Sequence, residues 1–487
     1  MKILFLDLDT LRPDHLGCYG YHRNTSPNID KIAAKGVRFN EYYCTDAPCL
    51  PSRSALLTGQ FGIHNGAVNH GGVHADHPLE GKDRNFRSTY SRTNLISVFR
   101  QAGYKTASVS PFAERHSSFW FTAGFNEVYN NIGKDGNESA EEVLPDVLSW
   151  IERNASNDNW LLHVNFWDPH TPYRVPQEYG NPFENDPPPS WMTDEIIKEH
   201  NTLAGPHTSL DINMYDDYVS PEFPRQLGKV TNMSEWKAFI DGYDVGIRYM
   251  DDHIGQVLDA LEKQSVPLDD LCVIITSDHG ENMGELGIYA EHGTADRATC
   301  RIPMIIKWVG GKEGIVDDDI HGNIDLCPTV ADLLGTEKYD IWDGESYAKV
   351  ITSGESQGRD HLVLSQCAHV CQRSVRFGKW LYMRTYHDGY HLFPRDMLFD
   401  IESDPYEQHN VADKYPEVVR EAVWLYLNWH DKMMETSNSV SDPLWTVMQE
   451  GGPFHANGHL KRYVERLRET GRADKAELLI QRHPREF

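Results

Sequence analysis

No apolar run in the 487-residue chain is long enough to cross a bilayer. The longest, such as Ile3 to Leu6 and Val273 to Ile275, stop far short of the roughly 20 residues a spanning helix needs. A secretory leader is also missing, because Lys2 is followed at once by a short apolar stretch carrying Asp7 and Asp9, with no cleavage pattern behind it. The chain therefore reads as cytoplasmic as it stands, and as periplasmic or secreted if a leader precedes it. Cysteines are few: eight in a chain of this length are no disulfide framework. Cys367 and Cys371 bracket His369 in the manner of half a zinc site, but a second pair at ligand spacing is lacking, so these read as buried thiols. Positive charge is scarce too. With 46 Lys and Arg against 73 Asp and Glu, the net charge is -27, and no basic stripe exists to collect the phosphates of a nucleic acid. Internal repeats are absent.

What is present is the make-up of a globular protein, 39% hydrophobic, 11% aromatic and 24% charged. The length exceeds that at which single cores stop growing, so one large domain plus a smaller one is expected. Residues 2–9 (KILFLDLD) form a near-continuous apolar run ending in carboxylates, the pattern of a buried parallel strand with a site at its C-terminal end. Trp160 to Phe166 and Leu271 to Thr276 read alike, and Lys105 to Val109 is a strand behind a helix at Leu95 to Ala102. A short helix is expected over Asn28 to Gly36. A long one is expected over Glu235 to Glu262, where Trp236, Phe239, Tyr243, Ile247, Met250, Ile254 and Leu261 recur at helical spacing behind a capping box, Asn232 with Glu235. Strands alternating with helices mean an α/β sheet. Pro176 to Thr231 is too long for a plain connection and reads as a lid or substrate wall. Beyond about residue 355 the texture changes: Ser374 to Arg384 alternates like a strand, His391 to Leu398 prepares another, and a helix begins near Pro416. Residues 1–355 are thus read as a catalytic domain and 356–487 as a smaller α+β subdomain. The charged tail from His459 would give a solvated or subunit-contacting face, which leaves a homo-oligomer open.

The most specific signal is local. In Cys49-Leu-Pro-Ser-Arg-Ser-Ala-Leu-Leu-Thr-Gly59 a cysteine is followed by Pro at +2, Arg at +4 and then Leu-Thr-Gly. This resembles the signature of the type I, formylglycine-dependent sulfatases of the alkaline phosphatase superfamily, in which a maturation enzyme oxidises the cysteine to formylglycine. The resemblance runs from the first strand through Asp278-His279-Gly280 to Leu398-Phe-Asp-Ile-Glu-Ser-Asp-Pro405. It implies a large mixed sheet flanked by helices, with a smaller C-terminal α+β subdomain. It also implies the chemistry: a hydrated aldehyde has two hydroxyls on one carbon, so one can attack sulfur and the other can later expel sulfate, where a serine would be left as a stable ester. Arg53, one helical turn from Cys49, would set a fixed cation against the diol or the sulfate oxygens.

The resemblance further implies one divalent cation, calcium in most relatives, held by Asp9, the modified Cys49, Asp278 and His279. Asp9 ends one strand and Asp278 follows another, so they can converge at one sheet edge. Relatives carry a second N-terminal carboxylate where this chain has Thr10, and His279 adds an imidazole, which keeps Mn²⁺ and Mg²⁺ open beside Ca²⁺. Asp7 is a further ligand candidate, or else a buried carboxylate behind the ligands. His170, in Trp167-Asp-Pro-His-Thr-Pro172, matches the family's sulfate-side histidine and is placed to protonate the leaving oxygen. His292 lies nine residues before Arg301-Ile-Pro303, where relatives carry a sulfate-binding lysine, and is read as its replacement. Glu291 beside it would meet a cationic or hydroxyl group of the substrate. The family's Gly-Lys-Trp-His segment is missing after Lys105 to Val109, and Arg115 and His116 are read as taking over its roles. Of the histidines behind the signature (His64, His70, His74 and His77), His74 has the spacing of a substrate contact in heparan N-sulfatases.

An acidic protein acting on an anionic ester needs a locally positive site. The leading expectation is hydrolysis of a sulfate ester carried on a carbohydrate, because Trp191, Trp236 and the long insertion would suit a sugar-sized pocket. Phosphonate monoester or phosphodiester hydrolysis by the same nucleophile stands beside it, as does sugar binding without turnover.

Overall fold

Alternate side chains of a strand go to opposite faces, so a run that is apolar at every position must be covered on both sides. The structure, a computed structural model describing residues 1–77, 88–130 and 133–487, meets that demand at the first strand. Ile3 and Phe5 enter one hydrophobic core and Leu4, Leu6 and Leu8 enter another, all at most 1% exposed. At about 1.5–3 kcal/mol for each fully buried large apolar side chain, this strand alone anchors the sheet between its helical layers.

In chain order the strands are Lys2–Leu8 (β1), Val37–Tyr43 (β2), Asp46–Ala47 (β3), Lys105–Val109 (β4), Glu127–Tyr129 (β5), Trp160–Phe166 (β6), Leu271–Thr276 (β7), Asn282–Met283 (β8), Tyr289–Glu291 (β9), Met304–Lys307 (β10), Ile315–Gly322 (β11), His361–Gln366 (β12), Cys371–Phe377 (β13), Trp380–His387 (β14) and Asp396–Asp400 (β15). Eight of them form a large sheet in the order β11-β2-β10-β7-β1-β6-β4-β5. β10 runs antiparallel to both neighbours and the other pairs are parallel, so the sheet is mixed, as the resemblance implied. The architecture is alkaline-phosphatase-like. One face carries the helices Cys49–Thr58, Leu95–Gln101 and Leu326–Leu334, the other Ala140–Asn154 and Met233–Lys263. The long helix begins where the sequence placed its cap: the Asn232 side chain accepts from the Glu235 N–H at 3.0 Å. Glu235 reaches back one residue further than a capping box requires, to the N–H and hydroxyl of Thr231.

A second sheet has the order β15-β14-β13-β12-β3. Its last strand, Asp46–Ala47, comes from just ahead of Cys49, so the smaller sheet is stitched to the larger one beside that cysteine. The run Ser374 to Arg384 is two antiparallel strands rather than one, because Gly378 at φ 46 turns the chain while the alternation continues across it. His391 to Arg395 is not strand: Tyr390 and Leu392 take positive φ (74 and 59), which interrupts an extended path. The tail also departs from expectation. Its helices Leu460–Glu469 and Ala473–Arg482 bury Leu460, Tyr463, Val464, Leu467, Ala476 and Leu479 against Ala204 and Tyr215 of the long insertion. Charge alternation hid this stripe. All eight cysteines are free, and Cys367 and Cys371 are buried thiols. Among the described residues no helix is long and apolar enough to cross a membrane.

The tail is fastened by titratable groups. His483 lies 2.8 Å from Asp388 and 2.9 Å from Glu486, and although burial opposes its charge, these partners push it up to about 9. A raised histidine contributes stability that is complete below its ordinary value of 6.5 and drains away as pH climbs through about 9. Thermal unfolding should therefore show a gap between the parent and His483→Gln that is widest near pH 6 and closed above pH ~9.5. A gap independent of pH would mean that the histidine acts by packing alone.

Candidate active site

The C-terminal ends of four adjacent strands of the large sheet, β7, β1, β6 and β4, deliver the candidate residues to one edge. Asp9 leaves β1 with its N–H on the Phe166 carbonyl (2.9 Å), Asp278 and His279 leave β7, His170 follows β6, and Arg115 and His116 follow β4. This is where an open α/β sheet places its site.

Cys49 is the first residue of a ten-residue helix buried throughout, and Arg53 lies one turn along on the same side. The signature's remaining residues have local tasks. The Ser52 hydroxyl donates to the Asp278 carbonyl (2.5 Å) and the Asn323 amide to the Ser52 carbonyl (3.1 Å), which locks the helix to the loop after β7. Gly59 caps the helix at φ 68, and a Cβ there would come within 2.9 Å of Trp342. In the second motif, a Cβ on Gly280 would come within 2.1 Å of the Ala298 carbonyl, so only glycine lets the two segments close.

Arg53 is the charge centre. It contacts Asp7 through Nε (2.8 Å) and Nη2 (3.1 Å), approaches Asp9 Oδ2 at 3.1 Å, and bonds Asp278 through Nη1. Burial works against the Asp7 carboxylate, but Arg53 and His163 hold it down at about 2. Asp7 is therefore engaged by Arg53 and stands outside the group formed by Asp9, Cys49, Asp278 and His279, whose donor atoms all lie within 4.8 Å of one another. Thr10, in the place of the second carboxylate, supplies hydrogen bonds instead of charge: its hydroxyl donates to Asp9 Oδ1 (2.7 Å) and its N–H to Asp278 Oδ1 (3.1 Å).

That group fits a divalent cation. His279 Nδ1 faces the Gly280 carbonyl at 2.9 Å, which can only accept, so Nδ1 carries the hydrogen. Burial holds the imidazole below its usual range, which leaves Nε2 with a bare lone pair 3.2 Å from Asp278 Oδ2 and 3.0 Å from Cys49 Sγ. Asp9 Oδ2 is buried without a hydrogen bond of good geometry and is met only by the ionic approach of Arg53. Lone pairs turned towards one another call for a cation between them. With carboxylate and imidazole donors together, the set suits Ca²⁺, Mn²⁺ or Mg²⁺ without singling one out.

Around this core stand the other candidates. The ring of His292 is 3.9 Å from that of His279 and 5.5 Å from that of His170. Glu291 lies 2.9 Å from His292 Nε2, 3.0 Å from His207 Nε2 and 3.6 Å from His369 Nε2. Burial opposes the charge of both Glu291 and His292, yet each moves the other the opposite way, Glu291 down and His292 up. His170 is held well below its normal range by burial and then by Arg115, and its Nδ1 meets the Thr171 carbonyl. His116 and His70 group with Cys49, and burial takes His116 down to about 3. Arg115 lies over the Trp167 ring at 5.1 Å.

The structure does not bring every expected residue here. His74 binds the backbone of its own loop, with Nδ1 on the Gly66 carbonyl (2.8 Å) and its own carbonyl on the N–H groups of Val68 and Asn69, and among the described residues it makes no bond to the site. His64 pairs with Asp343 (2.8 Å) and His77 stacks on Trp120. Trp236 is fully buried with its indole N–H on the Met283 carbonyl, and Trp191 stacks on Tyr406, so neither forms a sugar platform at Cys49. Residues the sequence reading left out complete the wall instead: His207 from the insertion, His369 between β12 and β13, and His455 from the tail, whose ring stacks on that of His369 at 4.1 Å. The CxHxC frame of Cys367 to Cys371 was a signal for His369. His207 and His455 had none.

Residues 2–336 match the family model described as Sulfatase. The chain belongs to the sulfatase family. It is accordingly a sulfuric ester hydrolase. A sulfatase of Formosa agariphila is 25% identical over 448 residues, covering 85% of this chain and 83% of its own. Among solved structures, a protein in complex with its substrate D-glucosamine-2-N,6-O-disulfate aligns with a TM-score of 0.70 at 18% identity, over 89% of this chain and 98% of its own. The phosphonate monoester hydrolase of Agrobacterium radiobacter aligns with a TM-score of 0.67 at 20% identity, over 89% and 96%. At these identities the structural likenesses establish the shared fold.

Arg53 gives a stability test. Arg53→Met leaves Asp7, Asp9 and Asp278 facing one another without their countercharge, and unfolding in urea should show a loss of roughly 3–5 kcal/mol. A loss under ~1 kcal/mol would mean that the carboxylates are neutralised by something else.

Proposed function

We propose that this sulfatase hydrolyses a sulfate ester on a carbohydrate, with a formylglycine made from Cys49 and one divalent cation held by Asp9, Cys49, Asp278 and His279. The observation that carries the reading is the convergence of carboxylate, thiol and imidazole donor atoms from two strand ends and a helix start, all within 4.8 Å of one another. When bound, the cation would polarise the sulfuryl oxygens, and the hydrated aldehyde would supply both the attacking hydroxyl and the one that frees sulfate. Cys49 is 1% exposed, so a maturation enzyme would have to meet it before the helix packs.

The chain's own residues do the rest. Arg53 neutralises and orients the carboxylates, and Thr10 fixes their rotamers. His170 has its hydrogen on Nδ1, against the Thr171 carbonyl, so its Nε2 is an acceptor, suited to a base. His292 is the better proton donor. Its Nε2 is paired with Glu291, which favours the imidazolium, and its Nδ1 is buried without a partner, leaving an N–H free for the leaving oxygen. This reverses the role first read for His170.

Support for a carbohydrate comes from the wall opposite Cys49. Burial keeps His70, His369 and His455 neutral, so beside the Glu291 carboxylate they offer uncharged donors and acceptors of the kind hydroxyl groups need. The glucosamine disulfate substrate of a protein sharing this fold agrees with that choice.

Mass spectrometry of the peptide containing Cys49 should show conversion of the thiol to an aldehyde, and Cys49→Ala should lower turnover by roughly 10³-fold or more. Sulfated saccharides, an aryl sulfate and a phenyl phosphonate should then be compared. Full activity with an unmodified thiol defeats the nucleophile assignment, preference for the phosphonate defeats the sulfate assignment, and turnover confined to the aryl sulfate defeats the carbohydrate assignment.

A further inference from the structure

Arg174 is a buried cation with bare donors. It is 8% exposed; Nη2 donates to the Thr171 carbonyl at 3.2 Å, while Nε and Nη1 have no partner. Among the described residues it forms no ion pair with a carboxylate, unlike Arg53, whose guanidinium is fully engaged by Asp7, Asp9 and Asp278. Charged N–H groups withdrawn from water and left unmet are costly, so a buried guanidinium of this kind calls for an anion.

Its position says which anion. The carbonyl of Thr171 that takes Arg174 Nη2 also takes His170 Nδ1, so the two side chains meet at one oxygen. Nε2 of the same imidazole lies 4.0 Å from Asp9 Oδ1, at the cation-binding group. A second guanidinium closes the arc. Arg115 lies over Trp167 at 5.1 Å, held by one bond from Nη1 to the Asp135 carbonyl (2.8 Å), and His170 stands edge-on to that indole at 5.8 Å. Trp167 thus packs against both Arg115 and His170.

We propose that Arg174, assisted by Arg115, binds the sulfuryl oxygens of the substrate and does the work of the lysines this chain lacks. The inference rests on the sulfate-ester reading of the same site. A guanidinium is planar and offers parallel N–H groups spaced for two oxygens of a tetrahedral anion, a match that a lysine ammonium makes only as a point charge. The tendency of such a clamp is to bind product sulfate as well as substrate.

Calorimetric titration of inorganic sulfate into the full-length Cys49→Ala chain tests this apart from turnover. The parent should bind sulfate, Arg174→Gln should weaken it roughly tenfold or more, and Arg174→Lys should recover part of the loss. Arg115→Gln should give a smaller loss. In the chain with Cys49 intact, Arg174→Gln should raise KM for a sulfate ester and relieve inhibition by sulfate, with thermal stability little changed because the Thr171 carbonyl it leaves keeps its bond from His170 Nδ1. Equal sulfate affinity in Arg174→Gln and its parent overturns the proposal, as does a lowered melting temperature with affinity intact, which marks a structural arginine. Loss of sulfate binding in Arg174→Gln together with an unmodified Cys49 leaves this inference standing and removes the formylglycine assignment.

Discussion

The guanidinium of Arg53 sits where Asp7, Asp9 and Asp278 meet, and much of the local architecture exists to make that meeting tolerable. Like charges brought together inside a protein repel strongly unless a countercharge and hydrogen bonds meet them. Arg53 comes from a helix that starts at Cys49, so the countercharge and the cysteine proposed as nucleophile are delivered by one rigid element. Thr10, Ser52 and Asn323 are then understood as fasteners: each ties a strand end or the helix start to the neighbouring segment. Placing the site at the ends of β1 and β7, rather than in loops, keeps its geometry tied to the sheet register, in which Asp7 sits opposite Asn165 and Thr276.

The same accounting explains how an acidic protein handles an anionic substrate. A net charge of -27 says little about a cleft whose own charges are paired inward. Asp7, Asp9 and Asp278 face Arg53, while Arg174 keeps two donors, Nε and Nη1, without a partner. The surrounding imidazoles add little charge. Desolvation pushes His70, His116, His170, His369 and His455 towards the neutral form, and only His292, next to Glu291, moves the other way. The site is thus divided into a charged half around Arg53 and its carboxylates and a half of largely neutral, hydrogen-bonding rings.

What the sequence disclosed follows that division. The charged half lies in short motifs attached to strongly patterned elements: the apolar run before Asp9, the helix after Cys49, the strand before Asp278. Each is local, and each can be read from spacing. Thr10 was visible as a departure, though its service as a hydrogen-bond donor needed the left-handed turn at φ 60 to be seen. The neutral half is assembled from remote pieces. His207, His369 and His455 are brought to Glu291 by the insertion, the smaller sheet and the tail, and no periodicity links a histidine at 207 to one at 455. Arg174 went unread for a different reason: an arginine in a Pro-rich loop looks solvated until its burial is known. Trp191 and Trp236 erred the other way, because a tryptophan that looks like a sugar platform is as readily a core residue.

The assembly of that neutral wall has a consequence for the role of the C-terminal third. β3 joins the small sheet two residues before Cys49, His369 projects from the turn of the same sheet, and the N–H of His455 bonds the Ala368 carbonyl at 2.9 Å. Tyr215 of the insertion donates to the His455 carbonyl at 2.7 Å, and Tyr463 of the tail donates to Gly205 at 2.7 Å, close to His207. The tail helices therefore brace two of the three remote histidines through backbone atoms, and the carboxylate of Glu291 is positioned by side chains that the tail holds in place. A region that reads as a charged appendage is, in packing terms, the back of the histidine wall around Glu291. Divergence in such a region can retune which alcohol is accepted while the sulfuryl half, fixed by the sheet, stays as it is.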